Sequence, residues 1–356
     1  MVAAFSATSV QALLKDRRLG REIPEELKKA APEHLKPFYD IEAHSMLELE
    51  GPRHKRLRRL VLQAFTSRRI NALAPDIEAL AHQLIDDFPD DPFDLIKAFA
   101  LPIPIHVICW LLGAPVHMAD QLLSWSNDMV AMYQARRTPE IEANAAKAAA
   151  EFTAFMRDYV ESRRKKPAND LITELIAAEE DGERLSTDEM ITTCILLLNA
   201  GHEATVHTLG NGVKTLLEHG ANPEWLSATG IEGTVEEILR YDPPLHVFTR
   251  YAYEDVEMAG HTFKRGDEVA LMLAAAGRDP GQWDDPASFI PTRPIKTNAA
   301  FGGGLHFCVG APLARLELQI ALRVLFERCP KLHITEAPAY ADLYHFHGLK
   351  RLMVAR

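Results

Sequence analysis

The sequence has little that would direct it to nucleic acid, to a membrane or to a secretory route. Lysine and arginine total 39 against 50 aspartate and glutamate, a net charge of −11, which argues against nucleic acid as a partner. No basic, apolar leader follows Met1, so no secretory signal is expected. The charge-free stretch Ala98–Ala119 is interrupted by prolines. Its unbroken helical part is too short to cross a bilayer of about 30 Å, and we expect a buried helix there.

Cysteine is scarce, and its spacing excludes the usual cysteine-based architectures. None of the four cysteines forms a CxxC pair: Cys109, Cys194, Cys308 and Cys329. We therefore expect no disulfide framework. Three of them lie in apolar helical contexts, where a cysteine behaves as a small hydrophobe. Cys308 differs because it lies in a glycine-rich loop.

Helical periodicity dominates the first two thirds of the chain. Apolar residues recur there at three- and four-residue spacing, which is typical of helices with one buried face. The predicted helices are Arg53–Ala64, Ala74–Phe88, Pro139–Lys166, Asp170–Glu179, Thr187–His219 and Ile231–Tyr241. Ser186 and Glu189 offer capping groups for the longest of them.

After Tyr241 the pattern changes to short strands and proline-marked loops. Strand-like runs are Val247–Tyr253, Asp255–Met258 and Glu268–Leu273, and helix resumes after Cys308 to about Arg328. The sequence therefore predicts one mainly α domain over residues 1–356 with a small β portion. Its helix-rich parts are 50–241 and 308–328, and its strand and irregular part is 245–307.

Residues 301–310, FGGGLHFCVG, surround Cys308 with glycine and phenylalanine. A thiol at the start of a helix lies near free backbone N–H groups, which favour the thiolate. The glycines let a flat ligand approach the backbone, and the phenylalanines offer apolar walls. The loop suits a thiolate aimed at a metal under a planar macrocycle, although a glycine-rich loop around a buried cysteine has the same pattern. A phosphate loop is excluded, because Ala311 and Pro312 follow where Lys and Ser or Thr are required.

This loop resembles the haem-binding signature of cytochromes P450, whose six fixed positions are occupied by Phe301, Gly302, Gly304, His306, Cys308 and Gly310. The resemblance implies the cytochrome P450 fold, with heme b (iron protoporphyrin IX) between the long helix and the helix after the cysteine loop. It also implies that Cys308 is the metal ligand and that its thiolate donates electron density to the iron to favour O–O cleavage.

A second pattern matches in the expected order along the chain. Glu237 and Arg240 resemble the ExxR motif of the family, three residues apart on one helix face. Arg293 resembles the arginine that joins them. A lone ExxR also describes an ordinary surface ion pair, so the structural role of these residues is implied by the resemblance.

The segment AGHEAT at 200–205 resembles the oxygen-binding part of the long helix. The resemblance implies catalytic roles or a haem contact for Ala200, Gly201, Glu203, Ala204 and Thr205. Small residues here would also allow close helix packing. Most members have a threonine where this chain has Ala204, and alanine can neither donate nor accept a hydrogen bond. We expect a water or a substrate hydroxyl to complete proton delivery, or else loss of electrons to peroxide.

Four basic residues resemble the partners of the haem propionates, namely His54, Arg58, Arg250 and His306. His54 and Arg58 lie at i and i+4 of a basic helix. Taken alone, the basic residues of this helix are equally typical of a solvent-exposed helix face. Its outward side and basic residues elsewhere suggest a docking surface for an acidic redox partner: Lys55, Arg56, Arg59, Arg68, Arg69, Arg315 and Arg323. No flavin or iron–sulfur segment is visible, and the resemblance implies a ferredoxin-type partner with an NAD(P)H-dependent reductase.

By the same resemblance, the substrate pocket is lined by Leu197, Leu245, Val247, Phe248 and Phe346, with polar groups from His246, Tyr344 and His345. Such a lining suits a small, largely apolar organic substrate with a polar handle.

The leading hypothesis is a cytoplasmic haem-thiolate monooxygenase that inserts one oxygen atom from O₂ into this substrate. A peroxide-driven peroxygenase, which Ala204 favours, and a non-catalytic haem-binding or sensing protein are the alternatives. The match to the family begins near Val10, so we expect a shortened N-terminus.

Overall fold

The computed structural model describes residues 2–134, 136–180, 182–258, 260–343 and 346–356, with the backbone alone at 179 and 180. Tyr344 and His345, predicted to line the substrate pocket, lie outside the described residues. The chain divides into two compact units. The first unit comprises Met1–Gly20, Ala74–Pro104 and Glu203–Arg356, and the second comprises Arg21–Leu73 and Ile105–His202.

Helices make up most of the described chain, as the sequence predicts. In chain order they are α1 Ala7–Lys15, α2 Lys36–Glu42, α3 Gly51–Ala64, α4 Ser67–Ala72, α5 Ala74–Asp86, α6 Pro102–Leu112, α7 Ala119–Val130, α8 Pro139–Lys165, α9 Leu171–Ala177, α10 Thr187–Glu218, α11 Ile231–Tyr241, α12 Leu273–Ala276 and α13 Ala311–Arg328.

The strands are short and most of them belong to the first unit. They are β1 Val2–Ala4, β2 Leu19–Gly20, β3 Phe93–Asp94, β4 Glu179–Glu180, β5 Glu183–Arg184, β6 Val247–Ala252, β7 Val256–Met258, β8 His261–Phe263, β9 Glu268–Met272, β10 His333–Ile334, β11 Ala339–Tyr340, β12 Leu349–Arg351 and β13 Met353–Ala355.

The largest sheet of the first unit has the strand order β1-β9-β6-β2. Strand β6 pairs antiparallel with β9, so that Arg250 lies opposite Val269, and β1 pairs parallel with β9 on its other edge. One face of this sheet packs against α1 through Val10, Leu13 and Leu271, which are at most 2% exposed. The α1 contact buries apolar residues of the sheet and thereby helps to fix the register of its strands.

The second unit is helical, and side chains just before its helices cap them. Thr138 accepts a hydrogen bond from the backbone N–H of Ile141 at the start of α8. Ser186 and Glu189 each accept from the backbone N–H of the other, a reciprocal capping box at the start of α10. The capping role predicted from the sequence for Ser186 and Glu189 is thus present.

The apolar stretch before residue 119 forms α6, a helix of 11 residues whose Ile103, Val107 and Leu112 are fully buried. Among the described residues, no helix combines the length and the apolar character that a membrane crossing requires.

Candidate active site

The segment 301–310 folds back on itself as a closed loop of the first unit. The backbone N–H of Cys308 donates to the carbonyl of Phe301 at 3.0 Å. Inside the loop, Gly304–His306 form one turn of 3₁₀ helix. The cysteine is therefore held by the backbone of the residue that begins the motif.

Two of the loop glycines occupy positions that other residues would not tolerate. Gly302 and Gly304 have φ of +69° and +65°, in the left-handed region. A Cβ at Gly304 would lie 2.2 Å from the carbonyl oxygen of Leu14, and one at Gly302 would lie 2.9 Å from the Phe248 ring. Gly303 and Gly310, by contrast, have ordinary extended and helical backbones.

The helix after the loop begins at Ala311 rather than at Cys308, which corrects the predicted start. Gly310 is its N-cap and Pro312 lies in its first turn, where proline is favoured because its missing N–H would be unpaired anyway. A Cβ on Gly310 would lie 3.8 Å from the Cys308 sulfur. The sulfur therefore still lies beside the N-terminus of the helix.

Cys308 is exposed, whereas the other three cysteines are buried. Burial raises the pKa of the Cys109 thiol to about 11 and that of the Cys194 thiol to about 12. These thiols stay protonated near neutral pH and act as small apolar groups. Cys308 is the one cysteine whose sulfur is presented for a ligand.

The phenylalanines of the loop meet a cation as well as each other. The Phe301 and Phe307 rings contact edge to face, with centroids 6.5 Å apart. The Arg315 guanidinium lies over the Phe301 ring, 4.6 Å from its centroid, and also pairs with Glu236. Arg315 is thus engaged in holding the loop.

Strand β6 places Phe248 and Arg250 on the same side, because alternate residues of a strand share a face. Phe248 is the side chain that approaches Gly302, so this face is turned toward the cysteine loop. The Arg250 side chain is 3% exposed, and its Nη1 donates to the carbonyl of Thr249 at 2.7 Å. The buried Arg250 guanidinium therefore lies on the side of β6 that is turned toward the cysteine loop. His306 belongs to that loop.

Glu237, Arg240 and Arg293 come together in a buried network. Arg240 donates two hydrogen bonds of 2.7 Å to the two carboxylate oxygens of Glu237. Its remaining N–H groups donate to three backbone carbonyls at 2.8 to 2.9 Å, those of Gly277, Pro286 and Ser288. The Nε of Arg293 donates to Glu237 at 3.2 Å.

This network differs from a surface ion pair, because Arg240 is 1% exposed and Glu237 3%. All five guanidinium N–H groups of Arg240 have acceptors, as a buried charge requires. The network ties α11 to the irregular segment that precedes the cysteine loop.

The half of α10 that belongs to the first unit carries a Glu–His pair. Glu203 Oε1 lies 3.8 Å from Nε2 of His207, one helical turn further on. The His207 ring packs against Phe346 with centroids 5.5 Å apart. His207 is absent from the predicted site, although the i to i+4 spacing after Glu203 is visible in the sequence.

Two threonines, Thr205 and Thr208, carry hydroxyl groups next to the Glu–His pair. Thr208 donates from Oγ1 to the carbonyl of Ala204 at 2.7 Å, a local bond that holds its side chain against the helix. Thr205 is buried, at 5% exposed. Ala204 has no hydroxyl to offer, and the nearest ionisable pair on this half of α10 is Glu203 with His207.

In the second unit, Gly201 serves helix packing. A Cβ there would lie 3.3 Å from Ile108 of α6, which shows how closely the two helices approach. Leu197 is buried, whereas Ala200 is exposed. Gly201 thus has the packing role that the sequence left open beside a role in oxygen binding.

The predicted propionate residues of the second unit lie on α3. His54 is 1% exposed, and Arg58, one turn later, is partly exposed. Their role toward a haem stays a prediction.

Several of the basic residues predicted to form a docking surface have carboxylate partners. Arg56 pairs with Glu189 and with Glu183, and Arg69 pairs with Glu174 at 3.1 Å. Arg323 pairs with Glu78 at 2.9 Å. Lys55, Arg59 and Arg68 are exposed.

The predicted substrate residues of the first unit occupy three places. Leu245 and Phe248 pack against the apolar core beneath the sheet, while Val247 lies opposite Met272 in the β6–β9 pair. Phe346 packs on His207.

Comparison with known proteins identifies the family. The family model described as "Cytochrome P450" matches residues 104–224 and 231–336. The cytochrome P450 monooxygenase PikC of Streptomyces venezuelae is 38% identical over 334 residues, which cover 89% of this chain and 78% of that protein. The 6-deoxyerythronolide B hydroxylase of Saccharopolyspora erythraea is 39% identical over 310 residues, which cover 85% of this chain and 74% of that protein.

Solved structures agree. A crystal structure of P450BioI in complex with an acyl carrier protein ligated to hexadec-9Z-enoic acid superposes with a TM-score of 0.91 at 31% identity, covering 99% of this chain and 91% of that one. The chain belongs to the cytochrome P450 family and is an oxidoreductase of the monooxygenase type. The family implies a haem cofactor.

Proposed function

We propose that this chain binds heme b with the Cys308 thiolate as the axial ligand. In this proposal it inserts one oxygen atom from O₂ into a small, largely apolar organic substrate and takes electrons from a ferredoxin-type partner served by an NAD(P)H-dependent reductase. The observation that carries the proposal is the exposed Cys308 sulfur beside the N-cap of α13. A thiol in that position is favoured as the thiolate.

The residues around Cys308 fit a haem. A single exposed thiol suits the iron, and the Phe301 and Phe307 rings suit a flat apolar ligand. Arg250 and His306 supply cationic or N–H donors for propionates from the strand and loop described above. The bound haem would supply the activation of O₂.

Proton delivery rests on the chain's own groups. Glu203 and His207 are close enough, at 3.8 Å, for a bridging water or a small side-chain rotation to pass a proton between Oε1 and Nε2. The family threonine is replaced by Ala204, so we assign the proton route to this pair. Thr208 is unsuited to the role, because its hydroxyl already donates within the helix.

The ligand assignment is tested by the absorption spectrum of the reduced protein with carbon monoxide. We expect the far red-shifted Soret band of a thiolate ligand for the wild type and for the control Cys329→Ala, which removes a buried thiol. Cys308→Ser should lose that band while retaining helical circular dichroism. A band typical of imidazole or neutral-thiol ligation in the wild type would contradict the proposal.

The effect of Ala204 is tested by the variant Ala204→Thr. Restoring a hydroxyl one turn before Thr208 adds a second proton donor, so we expect more product per NAD(P)H consumed. One positioned general acid–base group contributes about 10²- to 10⁴-fold to a proton-transfer step, so even partial restoration should give a measurable increase. Glu203→Gln should lower the yield of the wild type. Unchanged yields in both variants would remove Glu203 and position 204 from proton delivery.

The redox partner is tested by charge reversal at exposed positions of α3. Lys55→Glu with Arg59→Glu should slow reduction by a ferredoxin, most strongly at low salt, because steering between opposite charges is screened by salt. Arg351→Glu, an exposed change on β12, is the control. Equal rates for all three proteins would exclude a docking role for this face.

A peroxide-driven reaction is the second candidate, and Ala204 is the observation that favours it. Without the threonine hydroxyl, delivery of protons to O₂ is less supported than in most members of the family. Turnover of substrate with hydrogen peroxide alone, at a rate equal to that with O₂ and reductase, would favour this candidate over the first.

The names of the relatives suggest where to begin the search for a substrate. They include a hydroxylase of 6-deoxyerythronolide B, a vitamin D(3) 25-hydroxylase and a mycinamicin IV hydroxylase/epoxidase. We propose that the search for the apolar substrate begin with the compounds that these names give. A spin-state change of the haem on titration with each compound measures binding before any turnover is attempted.

A further inference from the structure

Away from the cysteine loop, the first unit brings two histidines and one aspartate together. Asp242 follows the last turn of α11, His246 precedes β6, and His347 precedes β12. One ligand atom from each lies within 4.8 Å of the other two. None of these residues belongs to the haem, proton-delivery or ion-pair sites described above, whereas the family resemblance places His246 at the predicted substrate pocket.

We propose that Asp242, His246 and His347 form a binding site for a divalent transition-metal ion of the zinc type. Two imidazoles and one carboxylate are the donors that this class of ion prefers, with a fourth position left for water. In a tetrahedral site with bonds of about 2.1 Å, neighbouring ligand atoms are about 3.4 Å apart. The His347 Nε2 and Asp242 Oδ1 atoms are already 3.0 Å apart.

The histidine rings and the carboxylate are held by their surroundings. The His347 ring is stacked between two others, with the His246 centroid at 4.2 Å and the Tyr340 centroid at 3.9 Å. The Tyr340 hydroxyl donates to Oδ2 of Asp242 at 2.6 Å. This leaves Oδ1 for a metal, and a hydrogen bond to the second oxygen is how ligating carboxylates are usually oriented.

The backbones that carry the ligands are joined by one buried side chain. Asn211 of α10 is fully buried, and its Nδ2 donates to the backbone carbonyls of both Asp242 and His347, at 3.3 and 3.0 Å. The backbone N–H of His347 donates to the carbonyl of Pro244 at 2.7 Å. Two segments distant in sequence are therefore kept in place before any ion binds.

The site is reachable from solvent. The His347 side chain is 27% exposed and that of Asp242 13%, so an ion can enter while most of its ligands stay shielded. An Asp–His ion pair alone would account for the 3.0 Å contact. It would not account for the second imidazole or for the hydroxyl that orients the free oxygen.

The test uses the haem-loaded protein, stripped of other metals by EDTA and dialysed, and ZnCl₂ as the probe. Isothermal titration and zinc analysis of the dialysed protein should show one zinc per chain in the wild type. Asp242→Asn, His246→Gln and His347→Gln should each weaken binding at least tenfold. His117→Gln, which removes an exposed histidine elsewhere, is the matched control and should bind as the wild type does.

A second readout guards against variants that fold poorly. Zinc should raise the melting temperature of the wild type and of His117→Gln, because an ion that binds the folded state alone stabilises it, and should leave that of Asp242→Asn unchanged. Tyr340→Phe should weaken binding less than loss of a ligand does. The proposal is overturned if the wild type shows no saturable zinc binding. It is equally overturned if the three ligand variants bind as tightly as the control.

Discussion

Glu237 and Glu317 are equally buried, each 3% exposed, yet their surroundings are opposite. Glu237 on α11 accepts from two arginines and from the backbone N–H of Ile290. Glu317, on α13, leaves its Oε2 without a hydrogen-bond partner in the described part of the chain. Burial raises the pKa of the Glu317 carboxyl well above its usual range.

The difference shows that burial alone does not decide the charge of a carboxyl group. Both carboxyl groups lose hydration on burial. At Glu237 this cost is offset by two guanidinium groups and by a backbone N–H that donates to the carboxylate. At Glu317 nothing comparable opposes it, and the neutral acid is favoured. The first glutamate is an element of an ion network, and we expect the second to be a polar but uncharged core residue.

The largest expected effect comes from breaking the Glu237 network. Arg240→Met leaves the Glu237 carboxylate buried with one weaker partner and removes the donors to three carbonyls, so we expect a loss of about 3–5 kcal/mol. The matched control is Arg351→Met. It breaks the exposed pair with Glu336, whose side chains are 59% and 49% exposed, and should cost less than about 1 kcal/mol. Thermal melting of both holoproteins measures the difference, and similar losses would contradict the network's role.

The same substitution at the two glutamates should have different outcomes. Glu237→Gln leaves Arg240 buried without its full counter-charge and should lower the melting temperature strongly. Glu317→Gln keeps the shape of the neutral acid and should change stability at pH 5 by less than about 1 kcal/mol.

The pH dependence sharpens this comparison. Because the folded-state pKa of Glu317 is raised, its contribution to stability is complete below the ordinary glutamate pKa and is lost as pH rises toward the folded value. Glutamine does not titrate, so Glu317→Gln should gain stability relative to the wild type from pH 5 to 8. The gain should be at most about 1.4 kcal/mol per pH unit. A melting-temperature difference that stays flat over this range would mean that Glu317 is ionised.

The smallest effect is expected at Glu42 in the second unit. Burial, and next the charge of Glu48, raise the pKa of the Glu42 carboxyl to about 8, although the Tyr133 hydroxyl and Arg21 oppose the shift. The wild type should therefore lose stability between pH 5 and 8, and Glu42→Gln should remove this loss. Because Glu42 is partly exposed, we expect the difference between the two proteins to be only about 1 kcal/mol at pH 8. Melting curves of the two proteins at pH 5 and pH 8 provide the check. A wild type that gains stability over this range would contradict the raised pKa.

Much of the helical structure is predictable because it depends on neighbours along the chain. Helix α11 has the predicted bounds, and α10 ends one residue before the predicted end. Helix α7 is absent from the prediction, although its buried Leu122, Trp125 and Met129 have helical spacing.

The candidate site was predictable where a motif is continuous in sequence, and less so elsewhere. The loop around Cys308 and the Glu237–Arg240 spacing are local patterns. His207 has a visible spacing from Glu203, but its contact with Phe346 comes from the fold. The pairing of Arg56 and Arg69 with carboxylates is not visible in a run of basic residues, because each partner lies far along the chain.

The sequence by itself determined the family, most of the helices and the loop that presents Cys308, since backbone conformation and turn chemistry depend on adjacent residues. Only the tertiary structure decided which buried carboxyl groups have cationic partners, and which carbonyls complete the bonding of Arg240. It also brought Asp242 and His347 together. The physical reason is that desolvation and pairing depend on groups that are close in space, and folding alone makes distant parts of the chain neighbours.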